Sequence, residues 1–505
     1  MPFSGFKFGA IVEPLNNRMW SSDEIARLSA KRCALFASFG VARNDRVLVH
    51  YGNRGEFFAD LLAVWNLGAC AIPLDPRLTN FEIIKVAETA KPKLSVWHEP
   101  PSAGIGASLH EISVATVATE TLSEAIGTTP NWRFDDPALI LFTSGTTGEP
   151  KGVVHTHRSL HAQWASLHQA LGLESFLNTL CLLPTHFGHG LICNCLFPWL
   201  SGQTLHILPP FQPDAISNLG AIIDEYRITF MSSVPPVWQL ALKLSSAPKS
   251  QTLQRVFIGS APLSGHLWQT VYDWTGAQSV GNAYGITETA SWLAGTPFSN
   301  VEPADGLVGV PWGSEIRIMK DSSTERSVDD IEASLDGEQG YVWVRTPSLM
   351  QGYFQLDELT NKVIRQGWFS TGDIGLIDDR NLLFLKGRER EEINKGGTKV
   401  YPADIDSVVE QYPSVTDVCS FGIEDHFYGE TIGIAIVLEG GAESEAVALR
   451  TWLKDRLAEY KLPSKWYQVP QIPRTSRGKI NRELVARICA KLKPINMRQA
   501  PSSAG

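Results

Sequence analysis

No stretch of this 505-residue chain runs apolar for long enough to cross a bilayer, which takes about 20 consecutive apolar residues. A helical membrane span is therefore not expected. Cysteine is scarce and poorly spaced for bridging: there are seven, an odd number, without any Cys-x-x-Cys pair. That argues against a disulfide framework and for a reducing compartment. Cys193 and Cys195 lie two apart within an apolar run and read as core residues rather than metal ligands. Basic tracts are missing as well. Lys and Arg number 44 against 53 Asp and Glu, a formal net charge of −9, which speaks against nucleic acid as a partner. Met1 to Gly9 hold one lysine and only a short apolar run, a poor secretory signal. Internal repeats and low-complexity tracts are absent. A soluble, cytoplasmic, enzyme-sized protein is expected.

What the chain does contain is ample core material, with 43% hydrophobic residues including 22 Phe and 15 Trp, enough to fill several units. Strands and helices alternate from the start: a helix within 20–40, then strand Arg46–His50, helix Phe57–Leu67, strand Ala69–Leu74, helix Ile83–Ala90 and strand Lys93–Trp97. Such alternation predicts α/β architecture with parallel sheets and crossover helices. Residues 100–130 read as a loop outside the core. From about Gly309 shorter, antiparallel-looking strands predict a small β subdomain. The charged run Gly387 to Glu392 reads as a boundary, followed by helices and strands of an α+β unit. The fold class expected is thus α/β: a large N-terminal domain, 1–388, of two parallel-type α/β sheets plus the small β subdomain. A smaller, mobile α+β domain, 389–493, follows, with a disordered tail over 494–505.

The densest chemistry lies in Thr143-Ser144-Gly145-Thr146-Thr147-Gly148-Glu149-Pro150-Lys151-Gly152, after the apolar run Ala138–Phe142. Glycines let the backbone turn tightly with its N–H groups near an anion, hydroxyls add donors, and Lys151 adds charge. The spacing is not that of a Walker A loop, because Glu149-Pro150 separates Gly148 from the lysine. By itself the segment suits either a polyphosphate cradle or a polar surface turn. Further polar clusters follow predicted strands: Pro184–Gly190, Ser233-Val234-Pro235, Gly259–Ser264 and Asn282–Glu288. In open α/β sheets ligands bind at the carboxyl ends of the strands.

Taken together, these segments resemble the adenylate-forming superfamily of acyl-CoA synthetases, peptide-synthetase adenylation domains and firefly-type luciferases, and most resemble a stand-alone acid–CoA ligase. Thr143–Gly152 is similar to its phosphate loop, and Tyr284-Gly285-Ile286-Thr287-Glu288 to its Tyr-Gly-x-Thr-Glu. Trp368-Phe369-Ser370-Thr371-Gly372-Asp373 matches Trp-x-x-Thr-Gly-Asp, Gly387-Arg388 the Gly-Arg before the hinge, and Pro473 to Lys479 the C-terminal Pro-x-Thr-x-x-Gly-Lys. The order is the family's, and the resemblance spans nearly the whole chain.

The resemblance implies two half-reactions, acid plus ATP to acyl-adenylate and pyrophosphate, then transfer to a thiol with release of AMP. It implies that Thr143, Ser144, Gly145, Thr146, Thr147, Gly148 and Lys151 cradle the phosphates. Glu288 would bind Mg²⁺, Thr287 would lie near the α-phosphate, and Tyr284 would stack on adenine beside Gly259, Ser260, Ala261, Pro262, Asn282, Ala283 and Gly285. Asp373 and Arg388 would bind the ribose. Lys479 would offset the charge that develops when carboxylate meets α-phosphate, since two anions must be brought together. The hinge falls at Arg390, where relatives more often carry Asp or Lys. The Lys395-Gly396-Gly397 turn would face a pantetheine arm.

For the acid, the resemblance implies a pocket at His186, Phe187, Gly188, His189, Ser233 and Trp292, with Trp164 as a further wall. Amino-acid-activating relatives place Asp where Gly188 stands. The missing charge partner predicts an acid without an α-amino group, and the aromatic bulk predicts a short, medium-chain or planar aryl acid. Trp292 fits a pocket wall and ordinary core packing equally. CoA is the expected acceptor, with a separate carrier protein or a small amine as the alternative. A luciferase-like monooxygenase or a non-catalytic nucleotide binder lies further off. A monomer or homodimer is expected, with a small carboxylic acid as partner.

Overall fold

A computed structural model describes residues 7–98, 111–113, 132–143, 151–210, 212–297, 301–320, 334, 337–395, 398–425, 429–439, 443–457, 459–475 and 478–495. Local signals place the first elements. Ser21 caps the helix Ser22–Ser38: its hydroxyl accepts from Glu24 N while the Glu24 carboxylate accepts from Ser21 N at 2.7 Å. Thr79 and Glu82 repeat that capping box at the helix Asn80–Ala90. The helix Gly55–Asn66 is buried along almost its whole length and packs on Ser22–Ser38. Between these two helices Arg32 Nε meets Asp60 Oδ1 at 3.3 Å, both side chains buried, and Tyr51 OH donates to the same carboxylate.

Two large sheets form the N-terminal domain. In the first, Thr204–Ile207, Asn178–Cys181, Phe230–Ser233, Arg255–Gly259 and Ser279–Ile286 lie side by side and parallel. In the second, Leu94–Trp97, Arg46–His50, Cys70–Pro73 and Pro137–Thr143 are parallel, and Lys151–Thr156 turns back antiparallel. The expectation of parallel-type sheets therefore holds for their centres, and antiparallel strands extend their edges. The small β subdomain is no separate body. Ser291–Gly295 and Leu307–Pro311 carry the first sheet without a break into Leu383–Arg388, Trp368–Ile377, Gly340–Arg345 and Glu315–Met319. One apolar core joins Val47 and Leu139 of the second sheet to Leu180, Phe230 and Phe257 of the first.

The C-terminal α+β unit has its own five-stranded sheet, including Val415–Asp425 paired with Gly429–Leu438, and its own core around Ile405, Val418, Ile434 and Trp466. The disordered tail expected from Pro494 does not begin there. Ile495 is buried in this core and its amide donates to Trp466 O at 2.8 Å, so the ordered chain reaches at least residue 495. Residues 496–505, and most of 100–130, lie outside the described residues. All seven cysteines are buried thiols, as expected for core residues. No described helix is long and apolar enough to cross a membrane.

Four buried histidines and the partly buried His50 make the N-terminal domain acid-sensitive. Burial pushes His50, His155, His157 and His206 down to about 4 and His189 to about 3. Each stays neutral in the fold, whereas unfolded histidine takes its proton below about 6.5. The unfolded state thus binds more protons between pH 6.5 and 4, and stability falls as pH falls through that window. His157 caps none of this cost, because neither ring nitrogen has a hydrogen-bond partner among the described residues and the ring packs on Trp65 and Trp132. His157→Leu is expected to leave the melting temperature near its neutral-pH value. It should flatten the acid slope by about 1.4 kcal/mol per pH unit, measured by calorimetry from pH 7 to 4.5.

Candidate active site

The carboxyl ends of the parallel strands converge on one region. Gly259 ends its strand so close to the next one that a Cβ there would lie 2.3 Å from Ala283 O, so only glycine fits. Ser260 follows in the left-handed region, φ 66°, which turns its hydroxyl back toward His189. The His189 ring bridges two hydroxyls: Nδ1 lies 2.9 Å from Ser260 Oγ and Nε2 2.7 Å from Ser232 Oγ. Burial first, and then the charge of Lys479, hold this ring neutral. One nitrogen therefore donates and the other accepts. His189 opens a π-helical stretch, His189–Leu196, a rare geometry often found at functional sites. Within it Asn194 Nδ2 donates to Ser232 O at 2.9 Å, fixing the strand end that His189 touches.

Phe187 stands edge-on to His189, ring centres 5.9 Å apart, and Gly188 is buried beside Leu141 and Ser291. Ser233 is buried too, its hydroxyl without a hydrogen-bond partner among the described residues. Three further residues named for the acid make the following contacts. His186 Nε2 lies 3.5 Å from Asp75 Oδ2, at the end of a strand of the second sheet. Trp292 packs on Phe230, Phe257 and Trp312, and its ring centre also lies 5.2 Å from that of His189, so core packing and a place beside His189 coexist. Trp164 stacks along its own helix near His161 and His168 and donates to Ser201 Oγ at 2.9 Å.

At the other end of the region Asp373 gathers the nucleotide-side residues. It accepts from Tyr284 OH and pairs with Arg388 Nε at 2.9 Å, Asp373 and Arg388 being direct neighbours across their strands. The Asp373 charge raises the Arg388 guanidinium still further above its ordinary value, while burial raises the Tyr284 phenol and keeps it a neutral donor. The Asn282 side-chain amide donates to Leu307 O at 2.8 Å, which ties this strand to the next segment of the sheet. Ala283 is buried in the strand and Gly285 packs against Ser291 O, while Ala261 and Pro262 remain at least partly exposed. Thr143 and Lys151 are opposed across an antiparallel pair, Thr143 Oγ1 donating to Lys151 O at 3.4 Å. Ser144, Gly145, Thr146, Thr147 and Gly148 lie outside the described residues.

Sequence reasoning missed the residues that hold Thr287 and Glu288. His155 Nε2 lies 2.7 Å from Thr287 O, and Tyr353 OH donates to Glu288 Oε1 at 2.7 Å. Both partners sit far along the chain, and only the position of His155 just after the phosphate loop hinted at a role. From the C-terminal unit, Lys479 stands in a tight turn closed by Thr475 N donating to Lys479 O at 2.7 Å, and its charge reaches His189. A second contact between the units runs from Ser264 Oγ to Glu410 Oε2 at 3.3 Å. Arg390 lies in a single 3-10 turn, Glu389–Glu391, and Lys395 Nζ donates to Tyr460 O at 3.0 Å. Gly396 and Gly397 lie outside the described residues.

The chain matches the family model of the AMP-binding enzyme over residues 10–354 and that of the AMP-binding enzyme C-terminal domain over residues 404–479. It is similar to a malonate–CoA ligase of Arabidopsis thaliana, 30% identical over 89% of this chain and 78% of that protein. It is equally similar, at 30% over 93% of both chains, to a long-chain-fatty-acid–CoA ligase of Mycobacterium tuberculosis. Among solved structures, ATP-bound MatB from Rhodopseudomonas palustris superposes with a TM-score of 0.85 at 25% identity, covering 97% of this chain and 99% of that one. Motifs, fold and relatives agree: the chain belongs to the AMP-binding, adenylate-forming enzyme family as an AMP-forming acid–CoA ligase.

Proposed function

We propose that the acid this enzyme activates is a carboxylic acid without an α-amino group, short, medium-chain or planar aryl, handed from its adenylate to CoA. One observation carries the reading: the acyl end is neutral. His189 is held uncharged by burial and engaged by two serine hydroxyls, and Gly188 stands where an α-ammonium group would need a carboxylate. A charged substrate tail placed there would lose its hydration without gaining a partner. Malonate and oxalate, the acids named for two relatives, carry a second carboxylate, and the one charge acting on His189 among the described residues is that of Lys479.

The remaining roles follow from charge and position. Lys479 offsets the two anions that meet during adenylation. Asp373 and Arg388 hold the ribose, and Lys151 with the phosphate loop holds the departing phosphates. Glu288 suits Mg²⁺. It is a hard carboxylate whose Oε1 is oriented by Tyr353, and its Oε2 accepts no hydrogen bond from the described residues. Bound there, Mg²⁺ supplies charge neutralisation that eases departure of pyrophosphate. The 389–493 unit then rotates about Arg390 and brings Lys395, Gly396 and Gly397 to the site for thioester formation.

A pyrophosphate-release screen over a panel of carboxylic acids, with and without CoA, tests the reading. The expected hits are acids with uncharged tails, and exclusive turnover of dicarboxylates or amino acids would sink it. Lys479→Ala is expected to lower acid-dependent pyrophosphate exchange by about 100-fold or more while sparing thioester formation from supplied acyl-adenylate. Equal loss of both halves would refute that division. Gly188→Asp should cut kcat/KM for the best acid by about tenfold or more. A Cβ at that position meets only ordinary contacts, 3.5 Å to Leu141 Cδ1 and 3.7 Å to Ser291 Cβ, so Gly188→Ala serves as the steric control.

A further inference from the structure

The turn that presents Glu288 is held at three points, all from neighbouring segments. Thr287 O is held by His155 Nε2 and Glu288 O by Met350 N, both at 2.7 Å. The Glu288 carboxylate itself is held by Tyr353 OH, also at 2.7 Å. Tyr353 comes from a two-residue strand, Gly352–Tyr353, paired antiparallel to Lys151–Thr156 with Tyr353 opposite Val153. That pairing sets Tyr353 two positions from Lys151, and the Lys151 ammonium lies 5.8 Å from the centre of the Tyr353 ring. The ring is buried against Val153, Ile286 and Phe369, and its backbone amide donates to Thr360 Oγ1 at 2.9 Å. One rigid side chain thus touches both cation-related groups of the phosphate region. Its hydroxyl meets the acid at 288, and its face lies within cation–π range of the lysine at 151.

We propose that Tyr353 is a positioning residue that couples the two: its hydroxyl fixes the Glu288 carboxylate so that Oε2 is left for the metal, and its ring steadies Lys151 at the phosphates. This rests on the reading of Glu288 as the Mg²⁺ carboxylate. Hydrogen bonds to ligating carboxylates are worth about 10–100-fold in metal affinity, so the hydroxyl alone has a measurable consequence. A merely structural role for Tyr353 would be preserved by phenylalanine, which keeps the ring and its packing.

Binding of ATP, without acid, is measured by calorimetry on the full chain in Mg²⁺ and again in EDTA. Tyr353→Phe is expected to weaken MgATP binding by about tenfold and to leave metal-free ATP binding unchanged. Tyr353→Leu, which also removes the ring from Lys151, is expected to weaken both. Phenylalanine binding MgATP as tightly as the wild type, or losing both forms equally, overturns the coupling. A leucine variant with wild-type affinity in EDTA overturns the role of the ring. A wild-type enzyme that binds ATP no better with Mg²⁺ than without it overturns the metal reading of Glu288 itself, a failure distinct from the others. Thermal melts of the ligand-free variants confirm that each is folded before its affinity is scored.

Discussion

A single carboxylate ties the molecule together. Asp373 accepts from Tyr284, at the end of the last parallel strand, and pairs with Arg388, on the strand from which the chain departs for the C-terminal unit. Three strands from the two halves of the first sheet are thereby locked at one buried point. The arginine keeps its charge there because the partner carboxylate outweighs the cost of burial. Removing the acid would leave a guanidinium and a phenol facing each other in a largely dry site, a far greater cost than the loss of one hydrogen bond. The residues expected to hold the nucleotide and the departure point of the C-terminal unit therefore share one electrostatic anchor.

Much of this was legible in the sequence where the causes are local. Capping boxes at Ser21 and Thr79 mark helix starts, and the alternation of apolar strands with amphipathic helices marks the parallel sheets. Tyr284, Asp373 and Arg388 could be matched to a family pattern, and the fold brings them into contact. Contacts across long sequence separations had no such signal. His155 and Tyr353 reach Thr287 and Glu288 only because two sheets meet there, and nothing near either residue in the chain announces it. Direction was equally hidden. His186 and His189 stand three apart in one loop, yet one pairs with Asp75 and the other with Ser232 and Ser260. The aromatic excess around Trp292 was visible, but not that Phe230, Phe257 and Trp312 would absorb it into the core.

The neutrality of His189 has the same origin as the acid sensitivity of the domain. Burial that keeps His189 uncharged also denies protons to His155, which must hold Thr287 O as a neutral ring. Site preorganisation and acid lability are thus two readings of one dry interior. Solvent exclusion strengthens the hydrogen bonds that orient the site and raises the cost of any charge that enters without a partner.

Gly259 and Gly188 differ in how much change they allow. At Gly259 the neighbouring strand's carbonyl occupies the space a side chain would need, so that position is closed to substitution in any lineage that keeps the sheet. At Gly188 an added carbon finds only normal contacts. Variation among descendants of this chain is therefore cheap at 188 and closed at 259, so a mutational library should begin at 188 and leave 259 alone.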